Sequence, residues 1–169
     1  MTTVALRRTV LSLVLASVLA VGGCGKAPAN PEVVAAGKAF LSNNAHAPSV
    51  HVTPSGLQYK IITSGPVSGP IPKATDEVKV NYEGKLLDGT VFDSTYERGS
   101  PSVFGVTGLI AAWTEALQLM HPGDVWELYA PANLAYGDQG APSIPPGSVL
   151  QFKIELIAIK GEGESGSGS

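Results

Sequence analysis

Tyr82, Phe92 and Asp93 place a phenol, an apolar ring and a carboxylate on the two arms of one short hairpin. A carboxylate flanked by apolar groups is costly to bury without a partner or a purpose. The three together describe a small apolar pocket with one polar anchor, although the same residues would also suit the ordinary core of a β-hairpin. Farther along, Ile110 and Trp113 share a helical stripe, and Tyr136 and Ile144 sit in a long Gly/Pro loop where a mere connector needs no large apolar groups. Phe152 lies on a strongly alternating strand. His46, His51 and His121 are scattered, none at metal-ligand spacing with another His, Cys or paired carboxylates. They read as surface or loop histidines, and no metal or other cofactor is expected.

The elements that position these residues follow from periodicity. Val78, Val80 and Tyr82 alternate with Lys79, Asn81 and Glu83, the period of a half-buried strand. Asp88-Gly89 supplies a tight turn, and Val91-Phe92-Asp93 returns as a second strand. Leu57 to Ile62 predicts a strand, and Ser64 to Pro72 a loop. Glu97 to Pro101 reads as a polar loop, followed by a short strand at Val103 and Phe104. Ile110, Trp113, Leu117 and Met120 fall on one stripe of a helix stopped by His121-Pro122-Gly123. Trp126, Leu128 and Ala130 alternate, as do Leu150, Phe152, Ile154 and Leu156. Ahead of these, Pro31 opens a short helix that ends at Asn43-Asn44 and packs either on the domain or on a partner. The expected architecture is α+β: an antiparallel sheet with one short helix laid on it, preceded by the N-terminal helix.

With 169 residues, 15% of them charged, and a formal net charge of -3, the chain has room for one compact domain plus an extension and gives no reason to expect nucleic acid as a partner. The extra length lies at the ends. Arg7 and Arg8 precede an apolar run from Val10 to Val21, too short for a comfortable membrane span of about 20 residues, and small residues close it. This reads as a secretory signal over 1–23. Val21-Gly22-Gly23-Cys24 resembles the bacterial lipobox, which implies a lipidated Cys24 as the mature first residue. Cys24 is the sole cysteine, so no disulfide within the chain is possible. Residues 24–52 form a tether and short helix, 53–160 the folded domain, and 161–169 a low-complexity tail expected to be disordered.

Within that domain, Asn81-Tyr82-Glu83-Gly84, Leu87 to Ser94, Ile110 with Trp113, Leu134-Ala135-Tyr136-Gly137 and Ile144-Pro145-Pro146 occur in order and in register. Together they resemble FKBP-type peptidyl-prolyl cis–trans isomerases. The lead-in, Ala39-Phe40-Leu41 and then Pro54 to Tyr59, is similar to the bacterial macrophage-infectivity-potentiator branch. The resemblance implies a twisted antiparallel sheet wrapped around a short helix, with the pocket between them. It implies Trp113 as the pocket floor, Tyr82, Phe92 and Phe152 as walls, and Asp93 as the polar anchor. Tyr136 would be a hydroxyl donor at the rim, Ile110 would offer its backbone N–H, Leu109 and Ile144 would help hold substrate, and Ile144 would sit under the proline-rich flap. The implied substrates are proline-containing polypeptides in the bacterial envelope, with the chain lipid-anchored and outer membrane favoured. A non-catalytic peptide-binding chaperone is the alternative. That branch usually carries a long helical dimerising arm, and one short helix here favours a monomer. Ser102 stands where eukaryotic members have an aromatic wall, Ala141 replaces a flap His, the flap is one residue shorter before Ile144, and Ala112 replaces the usual Gly. These departures predict a shallower pocket, weaker binding of rapamycin-class macrolides and an intact isomerase core.

Overall fold

The computed structural model describes residues 28–160; the segment read as a signal, Cys24 and residues 161–169 lie outside the described residues. Asn30 caps the first helix, α1 (Pro31–Asn44), its side chain accepting from the Glu32 N–H at 2.9 Å, with Pro31 at a position where a missing N–H does no harm. Strands β1 (Val50–Val52), β2 (Gln58–Thr63), β3 (Glu77–Leu86), β4 (Val91–Ser94), β5 (Ser102–Gly105), β6 (Val125–Ala130) and β7 (Leu150–Lys160) build one sheet. Its order is β1-β2-β6-β7-β3-β4, with β5 also paired to β3, and every pairing is antiparallel. Helix α2 (Thr95–Arg98) follows β4, and α3 (Ala111–Leu117) packs on the buried face of the sheet. This is the α+β arrangement that the periodicity predicts.

The core sits between α3 and the sheet. Val78, Val80 and Tyr82 of β3, Leu128 of β6 and Leu150, Phe152, Ile154 and Leu156 of β7 face Trp113 and Leu117, all buried. The opposite face carries charge: in register across four strands stand Lys60, Glu127, Lys153 and Glu83, so each charge meets its opposite on the neighbouring strand. The alternation on β7 does not run to its end. Leu156 pairs with Val80 and Ala158 with Lys79, which leaves Ile157 as the extra residue of a bulge. The phase therefore flips, and Ile159 rather than Ala158 is buried.

Two local expectations are corrected. Helix α3 begins after Ile110, which is its N-cap residue, and ends at Leu117; Met120 reaches the core from a tightened turn beyond it. The stretch read as a loop from Glu97 contains the end of α2, whose Ser94 cap accepts from the Glu97 N–H at 3.4 Å and whose Gly99 closes the turn at φ 70°. His51 is exposed, as read, and lies on β1, stacked on Tyr59 with ring centroids 5.0 Å apart.

The N-terminal helix packs on the domain. The ring of Phe40 meets that of Tyr129 at 5.6 Å, and the Gln58 side chain donates to the Leu41 carbonyl at 2.8 Å while accepting from Asn44 at 2.8 Å. Among the described residues no helix is long and apolar enough to cross a membrane.

Candidate active site

Trp113, 4% exposed in the first turn of α3, is the centre of an aromatic cluster. Tyr82 meets it at 4.9 Å with planes at 86°, Phe152 at 5.4 Å and 87°, and Phe104 at 6.1 Å and 84°. Phe92 stands against Phe152 in the same way, at 5.8 Å and 87°. Edge-to-face contacts set the positive ring edge against the negative face, so the rings brace one another at right angles and enclose space instead of stacking it away. The result is a cavity of about 440 Å³ above the Trp113 indole. Tyr82, Phe92, Phe104 and Phe152 wall it, Leu109 and Ile110 line the side where the chain enters α3, and Tyr136 reaches it from the long loop, 40% exposed.

Two backbone features allow this. Successive residues of a regular strand point to opposite faces, yet Phe92 and Asp93 both line the cavity. Gly84 pairs with Asp93 and Lys85 with Val91, so Phe92 is the extra residue of a bulge, and the bulge re-aims its ring. Opposite it, a Cβ at Gly84 would stand 2.7 Å from the Phe92 ring and 3.0 Å from Phe152. Glycine at that position is what lets both rings lie across β3.

The polar corner is built by α2. The buried Thr95 hydroxyl accepts from the Tyr82 N–H at 2.8 Å and lies 3.1 Å from the Tyr82 carbonyl, which locks the start of α2 to β3. One helical turn later Arg98 reaches back. Its Nη1 donates to Asp93 in an ion pair, and its Nη2 donates to the Tyr82 hydroxyl at 3.1 Å and to Ser102 Oγ at 3.4 Å. The Tyr82 hydroxyl in turn donates to the other Asp93 oxygen. Burial pushes the Asp93 carboxyl up, but the hydrogen bonds from Tyr82 and Arg98 and the guanidinium charge outweigh it and hold the group below its ordinary value. The Tyr82 phenol is pushed up by burial and by its bond to the carboxylate. The corner therefore holds an ionised carboxylate and a neutral phenol, both already occupied.

Eight of the sequence-derived pocket residues, Tyr82, Phe92, Asp93, Leu109, Ile110, Trp113, Tyr136 and Phe152, line this one cavity. Ile144 does not; it is 5% exposed and packs in the core beneath the loop. Cys24 lies outside the described residues. Sequence reasoning missed Phe104 and Arg98 as site residues. Phe104 supplies an aromatic wall two positions beyond Ser102, so the cavity keeps a ring on that side. The signal for Arg98 was present: Ser94-Thr95-Tyr96-Glu97 followed by Gly99 has the form of a capped helical turn, which places Arg98 back toward Asp93.

Comparison with known proteins bears on this arrangement. The family model for the FKBP-type peptidyl-prolyl cis-trans isomerase matches residues 69–157, and that for the domain amino terminal to it matches residues 26–61. The chain is 50% identical over 124 residues to a peptidyl-prolyl cis-trans isomerase Mip of Coxiella burnetii, covering 73% of this chain and 53% of the relative. It is 53% identical over 128 residues to the outer membrane protein MIP of Legionella longbeachae, covering 75% and 54%. The crystal structure of FkpA from Escherichia coli superposes with a TM-score of 0.72 at 40% identity, covering 76% of this chain and 59% of that one. The chain thus spans little more than half the length of these curated relatives. With the family match running through both arms of the hairpin, α3 and β7, this chain belongs to the FKBP-type peptidyl-prolyl cis–trans isomerases.

Proposed function

We propose that the chain catalyses cis–trans isomerisation of X-Pro bonds in exported polypeptides. The observation that carries this reading is the aromatic cavity over Trp113, bordered on one side by the hydrogen-bonded Tyr82–Asp93–Arg98 corner. An X-Pro bond is held planar by resonance, with a barrier near ~20 kcal/mol. On twisting it loses resonance and becomes less charge-separated. An apolar, water-poor site therefore disfavours the planar ground state more than the twisted one, and each ~1.4 kcal/mol of that difference gives tenfold in rate. No nucleophile or proton transfer is required.

In this reading the proline ring stacks over Trp113 between Tyr82, Phe92, Phe104 and Phe152. The Ile110 N–H holds a substrate carbonyl, and the Tyr136 hydroxyl donates at the rim, with Leu109 beside it. Ile144 acts from below by supporting the loop. Asp93, engaged by Tyr82 and Arg98, serves as an anchor that fixes the Tyr82 ring at the cavity edge. Ser102 in place of an aromatic wall leaves rapamycin-class macrolides more weakly held than in members that have that wall.

The domain division follows the same reading: a lipoprotein-type leader over 1–23, tether and helix over 24–52, isomerase over 53–160 and a tail beyond. Relatives named Mip and outer membrane protein MIP support an exported, envelope-associated chain, here lipid-anchored through Cys24, with the outer membrane favoured and a monomer favoured over a dimer. The test is isomerisation of a Leu-Pro or Phe-Pro peptide by the soluble chain that starts after Cys24. Clear acceleration that falls about tenfold in Asp93→Ala, and less in Tyr82→Phe, with folding intact, is expected. A folded protein that gives no acceleration would leave a peptide-binding chaperone, to be read by suppression of aggregation.

A further inference from the structure

The long loop between β6 and β7 carries Tyr136 to the cavity, and its base is tied to α1. Within the loop the Gly140 N–H bonds the Tyr136 carbonyl at 3.1 Å, and Ala141 and Ile144 exchange a pair of hydrogen bonds at 2.9 Å. The loop closes where the Gly147 N–H donates to the Gly137 carbonyl at 2.9 Å, one residue from Tyr136. Gly147 adopts φ +79°, and a Cβ there would stand 2.7 Å from Val34 Cγ2 and 3.1 Å from the Ala29 Cβ. Two residues on, Val149 packs so closely on the helix that a Cβ at Gly37 would lie 2.7 Å from its Cγ2. Gly37 is the one buried residue of α1. The helix is held independently at its other end by the Phe40–Tyr129 contact and the Gln58 bond to the Leu41 carbonyl. It therefore forms a strut whose N-terminal half bears on the closing bond of the Tyr136 loop.

We infer that Val34 is a positioning residue for Tyr136, acting through Gly147 and the Gly147–Gly137 hydrogen bond, and that α1 is part of the isomerase site instead of a spacer ahead of it. The inference rests on the isomerase reading for its kinetic consequence but not for its structural one. Val34 touches no substrate. A side-chain contact seated on a backbone closing bond can displace a rim hydroxyl by a fraction of an ångström, which is enough to matter where a positioned donor engages a rotating amide.

The experiment uses the soluble chain beginning after Cys24, with α1 intact. Val34→Ala is expected to lower kcat/KM for the test peptide about three- to tenfold, and Val34→Ile, which keeps the branched methyl, to restore it. Phe40→Leu weakens the far end of the helix and is expected to leave kcat/KM within about twofold at a similar loss of thermal midpoint. In a Tyr136→Ala background the effect of Val34→Ala should shrink to within about twofold, because the group being positioned is gone. Equal losses in both backgrounds, or no loss with an active wild type, would overturn the inference. Amide hydrogen exchange is the second readout: Gly140 and Gly147 should exchange faster in Val34→Ala and not in Phe40→Leu. If the wild-type chain does not isomerise the peptide at all, the functional reading fails, and unchanged exchange at those two amides would then sink the positioning claim separately.

Discussion

The cavity has two unlike sides. Its floor is apolar and closed: Trp113 is buried, three rings meet it edge-on, and Gly84 leaves no room for a methyl. Its corner is polar and open, since the Asp93 and Arg98 side chains are 41% and 45% exposed. Shape on the floor side comes from close packing, which tolerates little change in volume. Charge on the corner side comes from an ion pair that water partly screens. The floor should therefore govern stability and the shape of the site together, whereas the corner should govern its electrostatics with little effect on folding.

The largest expected effect comes from removing the floor. Trp113→Ala deletes the ring that Tyr82, Phe104 and Phe152 all contact and should cost about 3–5 kcal/mol in denaturant unfolding, with loss of isomerase activity. A loss below 1 kcal/mol would break the claim that this side is structural. Next is Gly84→Ala. Its methyl meets ring atoms of Phe92 and Phe152, which cannot swing aside as a flexible chain end could, and a cost of about 1–3 kcal/mol is expected with a distorted pocket. An Ala variant as stable and active as the parent would show that the two rings have slack.

Ser102→Phe sharpens the comparison at the border between the two sides. It adds a ring beside Phe104 and removes an acceptor of Arg98, and should raise rapamycin-class affinity about threefold to tenfold, read by calorimetry. The smallest effect is titration of the corner. Because the folded Asp93 sits below its ordinary value of 3.8, the corner's contribution to stability is complete above that value and is lost as pH falls through the lower folded value. Carbon NMR of the Asp93 carboxyl should give a midpoint under 3.8, and Arg98→Met should move it upward. A midpoint unmoved by Arg98→Met would remove the guanidinium from the account.

Much of the fold was legible because period-2 alternation survives in the long strands: Val78, Val80 and Tyr82 on β3, and Leu150 to Leu156 on β7, point inward as read. Tyr82 with Asp93 and Ile110 with Trp113 were also legible, because each pair is set by one hairpin or one helix turn. Strand β1, three residues long, carries too short a pattern to read. Helix α2, four residues long, is marked by its cap rather than by any hydrophobic period.

By itself the sequence determined which segments alternate, where the chain turns and which motifs stand in family order, since these depend on residues close together along the chain. Tertiary structure alone decided that a bulge re-aims the Phe92 ring, that Phe104 walls the site and that α1 bears on the Tyr136 loop. Each of these is fixed by a register shift or a packing contact between distant segments, and a local pattern carries no term for either.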